Sequence, residues 1–406
     1  MAQTKVIIIG AGIAGPVLAL FLKLRGYAPV VYERLDGIPE AGISLVLQPN
    51  GLDILRKLPG FVESIPGRQI ERLASYSVMP EDPGLLGQSD LPARMFAESK
   101  HGMKGVSRVA FHRAIVAAAE AQGIEVIWGH ELVGLEQTAD TVRATFANGT
   151  TEEGSFVVGC DGLHSRTRTE LFGQEKADYN GTTQTGGLSP TPQVLLEKAT
   201  ILNIFGNGAH MISYPVSETH SSWAVTLPEA EHRESWRSLH KEQIEAFQKS
   251  PFASWGYGAG ELIRTTEKLI KYGLYDRPEL KSWHKGRITL LGDAAHPTSP
   301  HLGQGASQAF EDILLLTTLL DQRNADRGPL DVAALSGIFA EYERERIPRS
   351  SALVKGARAQ GEGRSMEGVE ACKQRNAKLR EMMKDDESFA KAYAHLYDYI
   401  MPQHHD

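Results

Sequence analysis

The residues of this 406-residue chain whose types and spacing could do chemistry fall into a few short constellations. The fullest spans 286–316, GRITLLGDAAHPTSPHLGQGASQAFEDILLL. Its apolar run 288–291 has the length of one buried strand and stops at Gly292-Asp293. A loop holding Pro297, Pro300, Gly303 and Gly305 follows, and amphipathic helical spacing begins near Gln304 or Gly305. Loop amides and a helix N-terminus aim positive partial charge at a crevice, which suits an anion or a polar cofactor. Asp293 would then meet hydroxyls, because a phosphate beside it would be repelled. Taken alone, the stretch is equally compatible with an ordinary strand-to-helix connection.

A second constellation is Gly10-x-Gly12-x-Ala14-Gly15, set between the apolar run 5–10 and a helical run 16–25; a second apolar strand, 28–32, ends in Glu33. The three glycines permit a tight turn, close approach of backbone to a pyrophosphate, and close helix–strand packing. Glu33 can accept from adenosine ribose hydroxyls and would repel a 2′-phosphate, so FAD or NAD fits better than NADP as the bound dinucleotide. The third constellation follows an apolar strand at 156–159 and runs from Cys160-Asp161-Gly162 through Ser165 to Arg168, a second polar edge. Arg108 opens a helical run, 106–119, where its side chain could reach a phosphate, although surface arginines are commoner. Farther on, the strand-like run 210–216 puts His210, Ile212 and Tyr214 on one face by period two. His210 and Tyr214 could contact a substrate hydroxyl, and Trp223 in the next alternating run could form an aromatic wall. The plainer alternatives are a buried tyrosine, a surface histidine and a core tryptophan.

The elements that must position these groups read as an α/β chain. Residues 42–50 look like a loop before a helix over 51–58; 70–79 is strand-like and 80–92 is rich in turn residues, which predicts an inserted hairpin. Runs 124–128, 134–137 and 141–146, with a fourth running after the Asn148-Gly149 turn to 159, predict a four-stranded antiparallel meander. Between 172 and 283 the pattern alternates and carries Trp223, Trp236, Trp255 and Trp283, a strand-rich lobe with an aromatic inner face; 229–250 reads as a charged helix. A helix at 330–349 is expected to stop around Pro348. A further helical segment to 395, broken at 361–363, is expected to be a solvated helix packed on the frame.

Composition narrows the classes. A formal charge of −7 offers no basic field for nucleic acid or anionic membrane. Cys160 and Cys372 have no CxxC spacing, which argues against a disulfide framework or zinc site, and His404-His405-Asp406 is too sparse to hold a metal. The apolar run 6–22 is interrupted by glycines and Pro16, and no stretch approaches the roughly 20 apolar residues of a membrane span. The expectation is a soluble, cytoplasmic protein without metal, nucleic-acid or membrane partners, and homodimers are common in such proteins.

Gly10-x-Gly12-x-x-Gly15 with Glu33-Arg34, Asp161-Gly162-x-x-Ser165-x-x-Arg168, and Gly292-Asp293-Ala294-Ala295-His296 continuing to Pro300-x-x-Gly303-Gln304-Gly305 stand in one order. Together they resemble the class A flavin monooxygenases, the p-hydroxybenzoate hydroxylase-like and salicylate hydroxylase-like enzymes. The resemblance covers residues 5 to about 349, and Glu311-Asp312 fall where that family also carries acids. It implies a Rossmann-like FAD-binding domain (1–69, 105–171, 284–350) interleaved with a strand-rich substrate lobe (70–104, 172–283), and a helical C-terminal segment (351–406). It implies non-covalent FAD held by Gly10, Gly12, Ala14, Gly15, Glu33, Arg34, Arg108, Asp161, Arg168 and Asp293. Pro300, Leu302, Gly303, Gln304 and Gly305 would border the reacting ring, with Pro300 at a catalytic position. Strand periodicity, not the resemblance, adds His210 and Tyr214 as catalytic candidates and His210, Ile212, Tyr214 and Trp223 as substrate contacts. The implied reaction is hydroxylation of a small aromatic, phenolic or heteroaromatic compound with NAD(P)H and O₂ through a C4a-hydroperoxyflavin. Epoxidation of an alkene or indole-type double bond and a non-catalytic FAD-binding protein are the alternatives. His296 reads as structural, and His301 stands where relatives carry an apolar or aromatic residue.

Overall fold

The computed structural model describes residues 4–40, 42–100, 102–231 and 240–398. Trp236, part of the expected helix at 229–250, and the His404-His405-Asp406 tail lie outside the described residues. Lys5–Ile9 is the inner strand of a six-stranded sheet, hydrogen-bonded in parallel to Phe156–Gly159 on one side and Ala28–Tyr32 on the other. Its Val6, Ile7, Ile8 and Ile9 are at most 4% exposed, as an unalternating β-branched run requires when both faces are covered. Ile288–Leu290 and Glu125–Ile127 extend the sheet in parallel, and the short His284–Lys285 closes one edge antiparallel. The helices Ala14–Leu24, Arg108–Ala121 and Gly305–Arg323 cover it.

A second, seven-stranded sheet has the order Lys268–Asp276, Asp178–Pro190, His220–Pro228, His210–Pro215, Thr200–Phe205, Arg72–Ser77, Gly84–Ser89. The 72–89 hairpin therefore joins the strands of the later lobe through a parallel pairing with 200–205. On the face turned away from the first sheet, Trp223, Val225, Met211, Ile204 and Leu269 form a core with Ala259, Leu262 and Ile263.

Three local expectations are corrected. Residues 44–47 are not loop but a strand, Ser44–Leu47, paired with Lys104–Ser107 in a small sheet between the two large ones. The 124–159 meander is three strands (Leu132–Gln137, Val142–Phe146, Thr151–Gly154), while Glu125–Ile127 and Phe156–Gly159 belong to the parallel sheet. The fully buried FVVG run at 156–159 is the pattern of a strand covered on both faces, which a meander edge is not. The hairpin expected over 70–92 is present, Arg72–Ser77 paired antiparallel with Gly84–Ser89, and the helix Leu91–Ser99 follows it.

The third correction is the long helix Val332–Arg364, which runs through both Pro348 and the 361–363 glycines. An internal proline costs about 3 kcal/mol, but Arg346 and Arg349 on either side of it are pinned to the neighbouring helix by Glu311 and Asp312. Gly361 is there for packing: a Cβ would lie 2.5 Å from the His301 ring. The helices Val369–Met382 and Asp386–Tyr397 that follow are not simply solvated. Arg375 donates to the Gly206 carbonyl at 3.1 Å, Asn376 to Ser77 Oγ at 3.2 Å and Arg380 to Asp82 at 2.7 Å, all on the seven-stranded sheet's side.

Candidate active site

A cavity of about 480 Å³ lies between the two large sheets, reaching from the first glycine turn to the C-terminal helices. At the glycine turn, Gly10 has φ +104° and a Cβ there would sit 2.5 Å from the Cys160 carbonyl; at Gly15 a Cβ would sit 1.9 Å from the Gly10 carbonyl. A Cβ at Gly12 would meet nothing within 4 Å, so the backbone there is open to the cavity it lines. The helix Ala14–Leu24 begins without a side-chain cap or an acid in its first turn. Its leading N–H groups, beside Gly12 and Ala14 in the cavity wall, are unclaimed donors suited to a pyrophosphate.

Glu33 is gripped by backbone: Ala11 N donates to Oε2 at 2.8 Å and Leu35 N to Oε1 at 3.0 Å. Each carboxylate oxygen keeps a lone pair for a ligand hydroxyl. Arg34 follows in an exposed position outside the cavity wall. Arg108 opens its helix and lines the cavity, its stem passing so close to Gly42 (φ +79°) that a Cβ there would be 2.8 Å from Arg108 Cδ. Asp293 also lines it, on the turn after Ile288–Leu290.

That turn is braced from behind. Gly292 N donates to Asp312 Oδ2 at 2.9 Å, and His296 Nε2 meets the same oxygen at 2.7 Å. Arg346 bonds Asp312 Oδ1 and Glu311 Oε2, each at 2.7 Å, and Asn50 donates to Glu311 Oε1 at 2.7 Å. Burial pushes the Asp312 carboxyl up, but the His296 and Arg346 charges more than offset it and hold it below the ordinary carboxylate range. Pro300, Leu302, Gly303 (φ +65°) and Gly305 border the cavity, whereas the Gln304 side chain turns inward to Asn50 and Gln308. Beside Gly303, the enclosed Gln48 Oε1 has no hydrogen-bond partner, an acceptor suited to an N–H of a bound ring.

The third constellation is held together by its own hydrogen bonds. The Asp161 carboxylate accepts from Ser165 Oγ at 2.6 Å, Thr167 N at 2.9 Å and Thr167 Oγ1 at 3.1 Å, and Ser165 Oγ caps Arg168 N. Arg168, 3% exposed, donates to the Ala295 carbonyl at 3.2 Å and to Glu175 at 2.9 Å. These side chains tie the 156–159 strand end to the 292–296 turn and leave Cys160, Gly162 and Leu163 to line the cavity. The Asp161 and Arg168 side chains thus brace the turns around the cavity, and Asp161 stands between two residues that line it, Cys160 and Gly162.

In the other sheet, Ile212 and Tyr214 do face the cavity together with Asn203, the cross-strand partner of Ile212. Tyr214 Oη meets Ser44 Oγ at 2.9 Å, and Ser44 donates to Ser222 Oγ at 2.5 Å. Burial pushes the Tyr214 phenol up to about 12. His210 is on the same face but set back. It is fully buried, with Nε2 3.0 Å from Asn203 Oδ1 and Nδ1 without a partner. Burial first, then the neighbouring Arg364 and Arg375 charges, hold its imidazole well below its ordinary value, so it is neutral. Trp223 also borders the cavity, but its indole stacks on Phe247 at 5.7 Å in the opposite-face core and donates to Ser189 Oγ at 2.9 Å. Ser222 and Ala224 flank it on the cavity side of that strand, so strict alternation sends the indole the other way.

The glutamine, proline and asparagine of 42–50 suggest a surface for a planar ligand, and Gln48 does line the cavity; Ser44, Asn203, Arg364, Tyr393 and Tyr397 line it without having been singled out by the sequence. Asn203 could have been found from strand parity. The i, i+4 spacing of Tyr393 and Tyr397 was a weaker signal.

A family model described as FAD binding domain matches residues 3–357. A 3-amino-4-hydroxybenzoate 2-monooxygenase of Streptomyces platensis is 32% identical over 364 residues, 88% of this chain and 88% of that enzyme. A 6-hydroxynicotinate 3-monooxygenase of Pseudomonas fluorescens is 30% identical over 361 residues, 86% of this chain and 90% of that enzyme. Among solved structures, Klebsiella pneumoniae HpxO complexed with FAD and uric acid has a TM-score of 0.83 over 97% of both chains at 24% identity, a likeness of fold.

Proposed function

This chain belongs to the FAD binding domain family, and its relatives are aromatic-ring monooxygenases; on that premise we propose that it hydroxylates a small hydroxylated aromatic or heteroaromatic compound, with NAD(P)H as electron donor and O₂ as oxygen source. The observation that carries the reading is one continuous cavity joining Gly12, Asp293 and the 300–305 loop to Tyr214 and Asn203. Bound FAD would supply the redox and oxygen chemistry.

The chain's own residues hold, orient and exclude. Gly12 and the start of the 14–24 helix receive the pyrophosphate, Glu33 accepts from the ribose, and Asp293 accepts from the ribityl hydroxyls. Pro300 and the backbone of Leu302, Gly303, Gln304 and Gly305 border the isoalloxazine ring, and fixed backbone donors favour negative charge there. Tyr214, neutral over the physiological range, hydrogen-bonds the substrate's ring oxygen. Its contact with Ser44, which continues to Ser222, gives that oxygen's proton a path. Asn203, steadied by His210, supplies a second polar contact. Ile212 and Leu302 add apolar wall that keeps water from the reacting atoms.

Membership among monooxygenases sets aside a non-catalytic FAD-binding protein. Epoxidation is the weaker reading, since a spinach zeaxanthin epoxidase is 29% identical and matched over only 52% of its length. The test is to supply FAD-loaded enzyme with NADPH or NADH and a library of hydroxylated aromatics, following O₂ uptake and product mass. At least one compound should accelerate NAD(P)H oxidation and gain a single oxygen atom on its ring. If none does either, the hydroxylase reading falls. Tyr214→Phe should lower product formed per NAD(P)H consumed about tenfold or more, and unchanged coupling would remove Tyr214 from this role.

A further inference from the structure

We propose that the substrate end of the cavity binds the carboxylate of an aromatic acid, and that Arg364 is the residue that selects it. The ring rests on the hydroxylase reading; the carboxylate rests on the charges of the cavity itself. Arg364 closes the helix Val332–Arg364 and lines the cavity. The other basic residues of that helix are all matched: Arg344 with Glu345, Arg346 with Glu311 and Asp312, Arg349 with Glu311, Lys355 with Glu279, Arg358 with Asp276. Among the described residues Arg364 has no carboxylate partner, and its Nε is enclosed without any hydrogen bond. A cation in a last helical turn is ordinarily a solvated group favoured by the helix dipole. This side chain is instead half-buried with its Nε enclosed, and burial pulls the guanidinium down to about 10, which leaves it charged at neutral pH and short of an anion.

The neighbouring groups are short of acceptors in the same way. His301 lines the same end of the cavity at 3% exposure, with neither ring nitrogen hydrogen-bonded. Arg364 acts electrostatically on both His301 and His210, and His210 Nδ1 is also unbonded. Asp293 is the one acid among the described lining residues, and it sits on the glycine-loop side with the cofactor machinery. A carboxylate would take paired N–H bonds from the planar guanidinium and a further N–H from neutral His301. Tyr393 and Tyr397, stacked with centroids 6.4 Å apart, line this end and offer ring faces to an aromatic body.

The experiment titrates FAD-loaded enzyme with acid–amide pairs (benzoate and benzamide, 4-hydroxybenzoate and its amide, 6-hydroxynicotinate and its amide), read by the change in flavin absorbance. In the wild type at least one acid should bind about tenfold or more tighter than its amide. Arg364→Gln should abolish that preference by weakening the acid about tenfold to a hundredfold while leaving the amide within about twofold, and Arg364→Lys should restore part of it. Equal binding of acid and amide by the wild type, binding of neither in every pair, or an unchanged preference in Arg364→Gln overturns the proposal. A raised Michaelis constant for NADPH with the acid preference intact would assign Arg364 to the nucleotide and also overturn it. Acid-selective binding without ring oxygenation of any acid would count against the hydroxylase reading and leave the anion site standing.

Discussion

At the scale of single residues, the cofactor end is organised around two carboxylates with different surroundings. Glu33 is preset by two backbone N–H groups, so its removal costs those partners as well as the ligand contact. Glu33→Ala should weaken FAD binding by about 1–3 kcal/mol, read from flavin fluorescence on release. Asp293 projects from a braced turn, and Asp293→Ala should release FAD more readily while leaving thermal stability of the apoprotein nearly unchanged. Full flavin occupancy with unaltered affinity in that variant would end its assignment. The two buried histidines predict a pH effect. Burial and Arg364 hold His301 down at about 3, from an ordinary 6.5, and His210 is also depressed. A depressed histidine contributes stability that is present above its unfolded value and lost as pH falls below about 6.5, because only the unfolded chain takes up the proton. The apparent melting temperature should therefore drop between pH 7 and 5, by less in His301→Asn. An identical slope in that variant would show that His301 is not held neutral.

At the scale of elements, the helices Gly305–Arg323 and Val332–Arg364 are locked by a fully enclosed charge network. Arg346, Glu311 and Asp312 are each 0% exposed, and Asp312 passes the lock on to Gly292 and His296. Arg346→Met leaves two buried carboxylates short of a partner and should destabilise the fold by about 3–5 kcal/mol, seen as early melting and loss of FAD. Arg344→Met, on the exposed side of the same helix, should change stability by about 0.5 kcal/mol or less, and a comparable loss there would refute the distinction. The network also explains why Pro348 and the 361–363 glycines did not end the helix. Local propensity is worth a few kcal/mol, and the ion pairs flanking Pro348 together with the His301–Gly361 contact outweigh it.

At the scale of the whole molecule, the cavity is assembled from both sheets and from the chain's last described helix. Asp386–Tyr397 closes it with Tyr393, Leu396 and Tyr397, and Arg349 donates to the carbonyls of His395 and Leu396 at 3.2 and 3.3 Å. Removing residues 385–406 should leave FAD bound, since the glycine turn, Glu33 and Asp293 lie elsewhere. The same deletion should lower aromatic affinity and uncouple NAD(P)H oxidation from product, with the electrons recovered as hydrogen peroxide. Coupled turnover at full affinity in the shortened chain would mean that this helix is no part of the substrate wall.

What the residues by themselves determined was everything carried by short range. The 5–10 strand, the glycine turn, Glu33 at the end of the next strand, and Asp293 before a proline- and glycine-bearing loop were all legible, because spacing along a strand, turn or helix is a local property. Period two also put Ile212 and Tyr214 together on one face. It could not say which face was the cavity, and the indole of Trp223 went to the core because its parity differs from theirs by one. The Asp161 and Arg168 side chains read as ligand contacts from the motif, and only the fold shows that Ser165, Thr167, Ala295 and Glu175 also hold them. Arg364, His301, Asn203 and Tyr393 line one cavity across separations no local pattern encodes, and only the packing of the long helix left that guanidinium there without an acid among the described residues.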